Sequence, residues 1–337
     1  MTDAGAADAN RHAWALEQSG AWDEAGITYS RAFHRAARRG EGQAMADAAR
    51  GGARVRHLTG RLEEAEEMAL LSERLAVLHG LPGPAARAAN VRATIRFAQG
   101  DLEGARPLFQ LAQEQARHAR DDELLGLVAQ NLGVIANIRG ELAEARLLYL
   151  ESIAATLRSR DKHAALRAYN NLGLLSSDLK EWMESDLYFD RGIELAERHD
   201  DRPLLAKLYA NRAEPLIQMG EVARARESLA RAEALALELG DPGTAVQVVR
   251  FRAVIARMEG ELDEADRCLR DALAGAERAG LELERAEILG GVARLRWEQG
   301  RHAEARAAVV DARARFAALG AAREIRRLDD VIAEWGT

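Results

Sequence analysis

Three asparagines stand 40 residues apart in this chain, at Asn131, Asn171 and Asn211. A carboxamide offers both donors and an acceptor. A row of them at fixed spacing can therefore pair with the backbone of an extended peptide, whatever its side chains. Further amides stand close to the series in sequence, at Asn90, Gln130, Asn170 and Asn137. Cations recur at related places, Arg87, Arg167, Lys207 and Arg250, together with the carboxylate of Glu214. Arg holds a carboxylate through two parallel N–H donors and Lys holds it as a point charge. That set points to an acidic peptide, although the whole chain carries a net charge of −7. The competing reading is structural. An Asn at such a place can brace neighbouring helices, and basic residues on a helix surface are often a solvated face.

Other chemistries find less support. The eight histidines are scattered, with no HExxH pair among them. His79, His118 and His199 fall near expected helix ends, where a cation suits the helix dipole. The glycines are singletons rather than a phosphate-cradling loop, there is no GxSxG elbow, and Cys268 has no obvious base beside it. Runs such as Glu63-Glu64 and Asp263-Glu264 suit the first turns of helices. No enzyme activity, metal or cofactor is expected. The acidic balance argues against nucleic acid, which requires a basic footprint. A single cysteine excludes an internal disulfide and fits a reducing compartment. The N-terminal MTDAGAADAN lacks the basic and apolar regions of a secretory signal, and no apolar run is long enough to span a membrane. A cytoplasmic location is expected, and a composition rich in Ala, Arg and Gly fits a bacterial source.

The elements that position these residues follow from a period. Gly20, Gly60, Gly100, Gly140, Gly220, Gly260 and Gly300 recur every 40 residues, and only Lys180 breaks the series. Five residues after each stands a small residue, from Ala25 and Ala65 to Ser185 and Ala305. A second punctuation lies halfway, at Gly40, Gly80, Gly240, Gly280 and Gly320, with Arg120, Arg160 and Asp200 in the middle of the chain. Leu124, Leu125, Val128, Leu132, Ile135 and Ile138 form one helical face before Gly140, and Leu142, Ala145, Leu148, Tyr149, Ile153 and Leu157 form another after it. Each unit is thus a helix, a tight turn and a helix, with helices of roughly 17 residues and ~26 Å. Such a pair cannot bury its apolar face alone, so neighbours must stack. Small residues mark close contacts on the first helices (Ala13 through Gly133 and Gly173 to Ala293) and the second (Ala32 through Ser152 and Gly192 to Ala312). Tyr29, Phe109, Tyr149, Phe189, Leu229, Leu269 and Val309 fill the space between. A non-Gly residue in the left-handed turn costs ~1 kcal/mol, so the Lys180 turn is expected to be rebuilt. Pro215 is expected to kink its helix and open the inner face there.

The strings NLGVIANIRGELAEARLLYLESIAA, YNNLGLLSSDLKEWMESDLYFDRGIELA and VRFRAVIARMEGELDEADRCLRDAL resemble tetratricopeptide repeats of a long, 40-residue type. The resemblance implies an all-α, right-handed α-solenoid of eight repeats. Their expected bounds are 1–40, 41–80, 81–120, 121–160, 161–200, 201–240, 241–280 and 281–320, within a single domain 1–337. A capping helix is expected over 321–335, with Ile325, Leu328, Val331, Ile332 and Trp335 on its apolar side and Arg323, Arg326, Arg327, Asp329 and Glu334 polar. The resemblance also implies that first helices line a concave groove, through positions 13, 10, 9 and 6 before the turn glycine. There Asn would bind ligand backbone and Lys or Arg one turn earlier a carboxylate. The expected function is an interaction scaffold holding an extended acidic peptide or disordered tail. The alternative is a bacterial regulatory sensor whose shape changes on binding a signalling peptide or small ligand. Self-association through the outer face is a further possibility.

Overall fold

The computed structural model describes residues 5–159, 162–333 and 335, apart from the side chains of residues 322, 323 and 331. Of the residues assigned above, Arg160 and Glu334 and the side chains of Arg323 and Val331 lie outside that description. Regular structure among the described residues is helical throughout. The chain divides into two compact units, Met1–Ala168 and Tyr169–Thr337. Unit 1 holds α1 (Ala6–Gln18), α2 (Trp22–Arg39), α3 (Gly42–Leu58), α4 (Leu62–Leu78), α5 (Pro82–Ala98), α6 (Leu102–Ala119), α7 (Asp122–Ile138), α8 (Leu142–Arg158) and the opening residues of α9 (His163–Asp178). Unit 2 holds the rest of α9, then α10 (Trp182–His199), α11 (Arg202–Gln218), α12 (Val222–Leu239), α13 (Pro242–Met258), α14 (Leu262–Ala279), α15 (Glu282–Glu298), α16 (His302–Ala318) and α17 (Ala322–Ala333). Odd-numbered helices are the first helices of the repeats and even-numbered ones the second. Each unit is a stack of such pairs.

The turns show why the helices stop where they do. Gly140 sits at φ 78°, and the next amide, Glu141 N–H, reaches back 2.9 Å to the Ala136 carbonyl. This five-residue return satisfies a carbonyl that the helix end would otherwise orphan. The same bond closes turn after turn, from Ala21 to Leu16 and on to Arg301 to Arg296. The Lys180 turn is not rebuilt. Lys180 adopts φ 60° and Glu181 donates to Ser176 as the glycine turns do, and Arg120 and Asp200 take left-handed conformations as well. Packing of the flanking helices outweighs the local strain. Helix starts are held by carboxylates in several repeats. Asp101, Asp121, Asp201 and Asp241 accept backbone N–H groups of the first turn. Glu63-Glu64 and Asp263-Glu264 lie in the first turns of α4 and α14. Pro215 does not end its helix, because α11 continues to Gln218, and α6 likewise continues through Pro107.

The small-and-large pattern is the core. Ala13, Ala53, Ala93, Ala213, Ala253 and Ala293 are buried on the first helices, and Ala32, Ser72, Ala112, Ser152, Ala232, Ala272 and Ala312 on the second. Tyr29, Phe109, Tyr149, Phe189, Leu229 and Leu269 fill the space between them, and Val309 is half-buried. The fit is close. A Cβ on Gly173 would stand 2.5 Å from the Phe189 ring, and one on Gly133 the same distance from Tyr149. The last repeat is covered by α17, whose Ile325, Leu328 and Ile332 pack with Ala286, Leu289 and Phe316. Beyond it Trp335 stacks on Trp297 at 4.8 Å and 10°.

Two substitutions test this account by urea denaturation. Lys180→Gly should stabilise the protein by about 1 kcal/mol by relieving the left-handed strain. Gly173→Ala should destabilise it by roughly 1–3 kcal/mol through overpacking against Phe189.

Candidate functional site: the inner face of unit 1

In unit 1 the first helices line three adjoining cavities of about 690, 490 and 290 Å³. The 490 Å³ cavity has an apolar wall of Leu58, Val91, Ile95, Phe97, Phe109, Leu127 and Val134, with Arg54, His57, Asn90, Thr94, Gln130, Asn131 and Arg167 around it. The 290 Å³ cavity shares Arg54, Asn90, Val91, Leu127 and Arg167 with it, and adds Trp14, Arg50, Arg87, Glu123, Leu124, Thr156 and Ala164. Its charged lining is therefore four arginines against one carboxylate. The 690 Å³ cavity continues towards α1 through Trp14, Arg50 and Arg54.

The repeat register explains this lining. Asn90 and Gln130 stand ten residues before their turn glycines, Asn131 nine, and Arg87 thirteen before Gly100. A helix that always ends at the same left-handed residue presents the same positions inward. Arg50 and Arg54 stand ten and six residues before Gly60. The amides drew attention away from them, but the same register could have found them.

The arginines differ in how they are held. Arg54 makes a two-pronged contact with Glu17, 2.7 Å from each carboxylate oxygen, and donates to the Tyr29 hydroxyl at 3.2 Å. Tyr29 in turn donates to Glu17 at 2.8 Å. Burial opposes the Arg54 charge, but the Glu17 hydrogen bonds outweigh it and its pKa is raised. Burial pushes the Tyr29 hydroxyl well above its ordinary range. Arg50 is bound to Asp47 at 2.9 Å, yet burial lowers its pKa and its Nε is buried with no hydrogen-bond partner. Arg87 donates to Asp121 at 2.7 Å, and Arg167 is exposed on the rim of both smaller cavities. Asn90 is 8% exposed, and its carboxamide oxygen is buried with no partner. His57 Nδ1 is in the same position, and burial lowers that histidine's pKa. Asn137 is half-buried with an unpartnered oxygen, and is not among the residues lining these cavities.

The amides of unit 2 are arranged differently. Asn211 donates to the Asn170 oxygen at 2.9 Å, and its own oxygen accepts from Gln247 at 2.6 Å. A chain of carboxamides thus ties α9, α11 and α13 together, which is the bracing role weighed above. Asn171 is half-buried, and Lys207 is exposed with its charge acting on Asp241. Arg250 pairs with Glu287 at 3.1 Å and lies 4.5 Å over the Phe251 ring. Glu214 accepts from Arg327 at 3.0 Å. The period gave no sign of Arg327 on this face.

No protein-family model matches the chain, and no curated protein matches it in sequence. Solved structures do match. The apo form of the quorum sensor NprR from B. thuringiensis is 14% identical with a TM-score of 0.69, covering 91% of this chain and 86% of that one. A Rap protein complexed with competence and sporulation factor is 14% identical with a TM-score of 0.59, covering 98% and 99%. Aspartyl phosphate phosphatase F from Bacillus subtilis is 13% identical with a TM-score of 0.64, covering 82% and 72%. The chain has the tetratricopeptide-type helical-repeat fold. Among the described residues no helix is long and apolar enough to cross a membrane, and no group of His, Cys, Asp or Glu could hold a metal ion.

The carboxamide chain of unit 2 can be tested directly. Asn211→Ala removes two interhelical hydrogen bonds and should cost about 1–3 kcal/mol in urea denaturation. An unchanged midpoint would mean that these amides do not brace the unit.

Proposed function

We propose that the chain is a non-enzymatic interaction protein that holds an extended acidic peptide segment on the inner face of unit 1. The observation that carries this reading is the buried, unpartnered carboxamide oxygen of Asn90, shared by an apolar cavity and an arginine-lined one. A buried acceptor without a partner is costly, and a backbone N–H of a bound peptide would satisfy it. Gln130 and Asn131 stand in the same register to extend the pairing, and Arg50, Arg87 and Arg167 supply charge for acidic side chains. The apolar wall would take up a bulky side chain between those charges.

A regulatory form of this reading draws support from the comparisons. One similar structure is a quorum sensor and another is a Rap protein in complex with a factor. In such a role the captured segment is a signal, and binding changes how the protein engages a second protein.

An array of octapeptides graded in Asp and Glu content, probed with the full chain, tests the proposal. Binding should rise with acidity. For the best peptide, Asn90→Ala with Asn131→Ala, and separately Arg167→Ala, should each weaken affinity about tenfold or more while circular dichroism is unchanged. Indifference to peptide charge, or full affinity in these variants, would refute it. Compaction on binding in small-angle scattering would favour the sensor over the passive scaffold.

A further inference from the structure

The terminal helix α17 does more than seal the last repeat. Its apolar side packs on α15 and α16. From its other side Arg327 reaches α11, where its Nη2 lies 3.0 Å from the Glu214 carboxylate, 113 residues away in sequence. The same nitrogen stands 3.5 Å from Asp178 on α9. Covering an exposed apolar end requires contacts with α15 and α16 alone. Contacts with α9 and α11 are an additional feature, and they place a guanidinium against two carboxylates of unit 2's inner face.

Those carboxylates border a cavity of about 420 Å³, where Trp182, Val254, Phe316 and Leu328 give apolar surface. Glu214 stands six residues before Gly220, the register of Arg54 in unit 1. The other charges of the cavity are partnered on their own helices' neighbours, Arg250 with Glu287 and Arg257 with Glu298. Asp178 and Glu214 instead take their cation from the far end of the unit. Both carboxylates are largely shielded from solvent. Removing the guanidinium would leave two half-buried negative charges facing each other's field, an arrangement that another cation would relieve. A planar guanidinium suits the place better than an ammonium, because its fork can serve two carboxylates at once.

We infer that the Asp178–Glu214 pair is a binding site for an arginine side chain of a partner peptide, and that Arg327 occupies it in the free protein. Partner and α17 therefore compete. Being tethered, Arg327 acts at a high effective concentration, so an incoming peptide succeeds only with further contacts or when α17 is drawn away. The site is separate from the inner face of unit 1, takes the opposite charge, and stands whether or not unit 1 binds an acidic segment.

The test uses the full chain and a fluorescein-labelled octapeptide with two arginines in a glycine–serine background, followed by anisotropy at low salt. Arg327→Ala should bind this peptide about tenfold more tightly than the wild type, since the competitor is gone. Adding Glu214→Gln should remove the gain, and a lysine version of the peptide should bind more weakly. Equal affinity of wild type and Arg327→Ala would overturn the inference, as would a gain that survives Glu214→Gln. Arg327→Met, which keeps the aliphatic stem, serves if circular dichroism shows the alanine variant misfolded. Excess arginine peptide should also speed hydrogen exchange of the α17 amides in the wild type, and unchanged exchange at saturation would overturn the competition. Arg167→Ala, in unit 1, should alter none of these results.

Discussion

Everything in this molecule depends on the left-handed residue that recurs at the helix ends. It stops the helix and lets the next amide return to the carbonyl five residues back, as Glu141 does to Ala136. Because the stop comes at a fixed count, it also sets the rotation of the helix about its axis. The positions 13, 10, 9 and 6 residues before the turn then form a repeated inner row. The small residues opposite Tyr29, Tyr149 and Phe189 bring the helices close enough for that row to work as one surface.

The inner rows of the two units use this common geometry for different chemistry. In unit 1 the register carries Arg50, Arg54, Arg87 and Arg167 beside the Asn90 amide. In unit 2 it carries an interhelical carboxamide chain, with Glu214 and Asp178 held by Arg327. A net charge of −7 conveys neither arrangement. Much of the charge is consumed in ion pairs between successive repeats, such as Arg106 with Glu141 and Glu144. What matters for recognition is the charge left on the inward positions.

The period made the helices, turns and core ladders legible, because each is encoded within 40 residues of sequence. It misjudged the Lys180 turn, where packing of the flanking helices overrides a local strain of about 1 kcal/mol. It placed the amides correctly in register but could not tell ligand-ready from bracing. Asn170, Asn211 and Gln247 bond to one another because their helices approach within reach, whereas the Asn90 oxygen is left without a partner. That difference lies in distances between helices. Arg54 and Tyr29 were read as separate positions, and the buried Glu17 that joins them gave no sign in the pattern. Arg327 was assigned to a solvated face, since no repeat pattern encodes a contact over 113 residues.

The counted turn also restricts how such a chain can change its length. One residue added within a helix rotates all that follows by about 100°. An inward arginine would then point outward and an outward leucine inward. The following turn would leave its helix at the wrong angle, and every later repeat would be misdirected. Whole 40-residue blocks carry no such phase error, because each begins and ends on the same left-handed residue. An array of this design can therefore be extended or shortened by duplication and loss of complete repeats, while single-residue insertions are confined to its unresolved constraint-free places, the residues outside the counted helices.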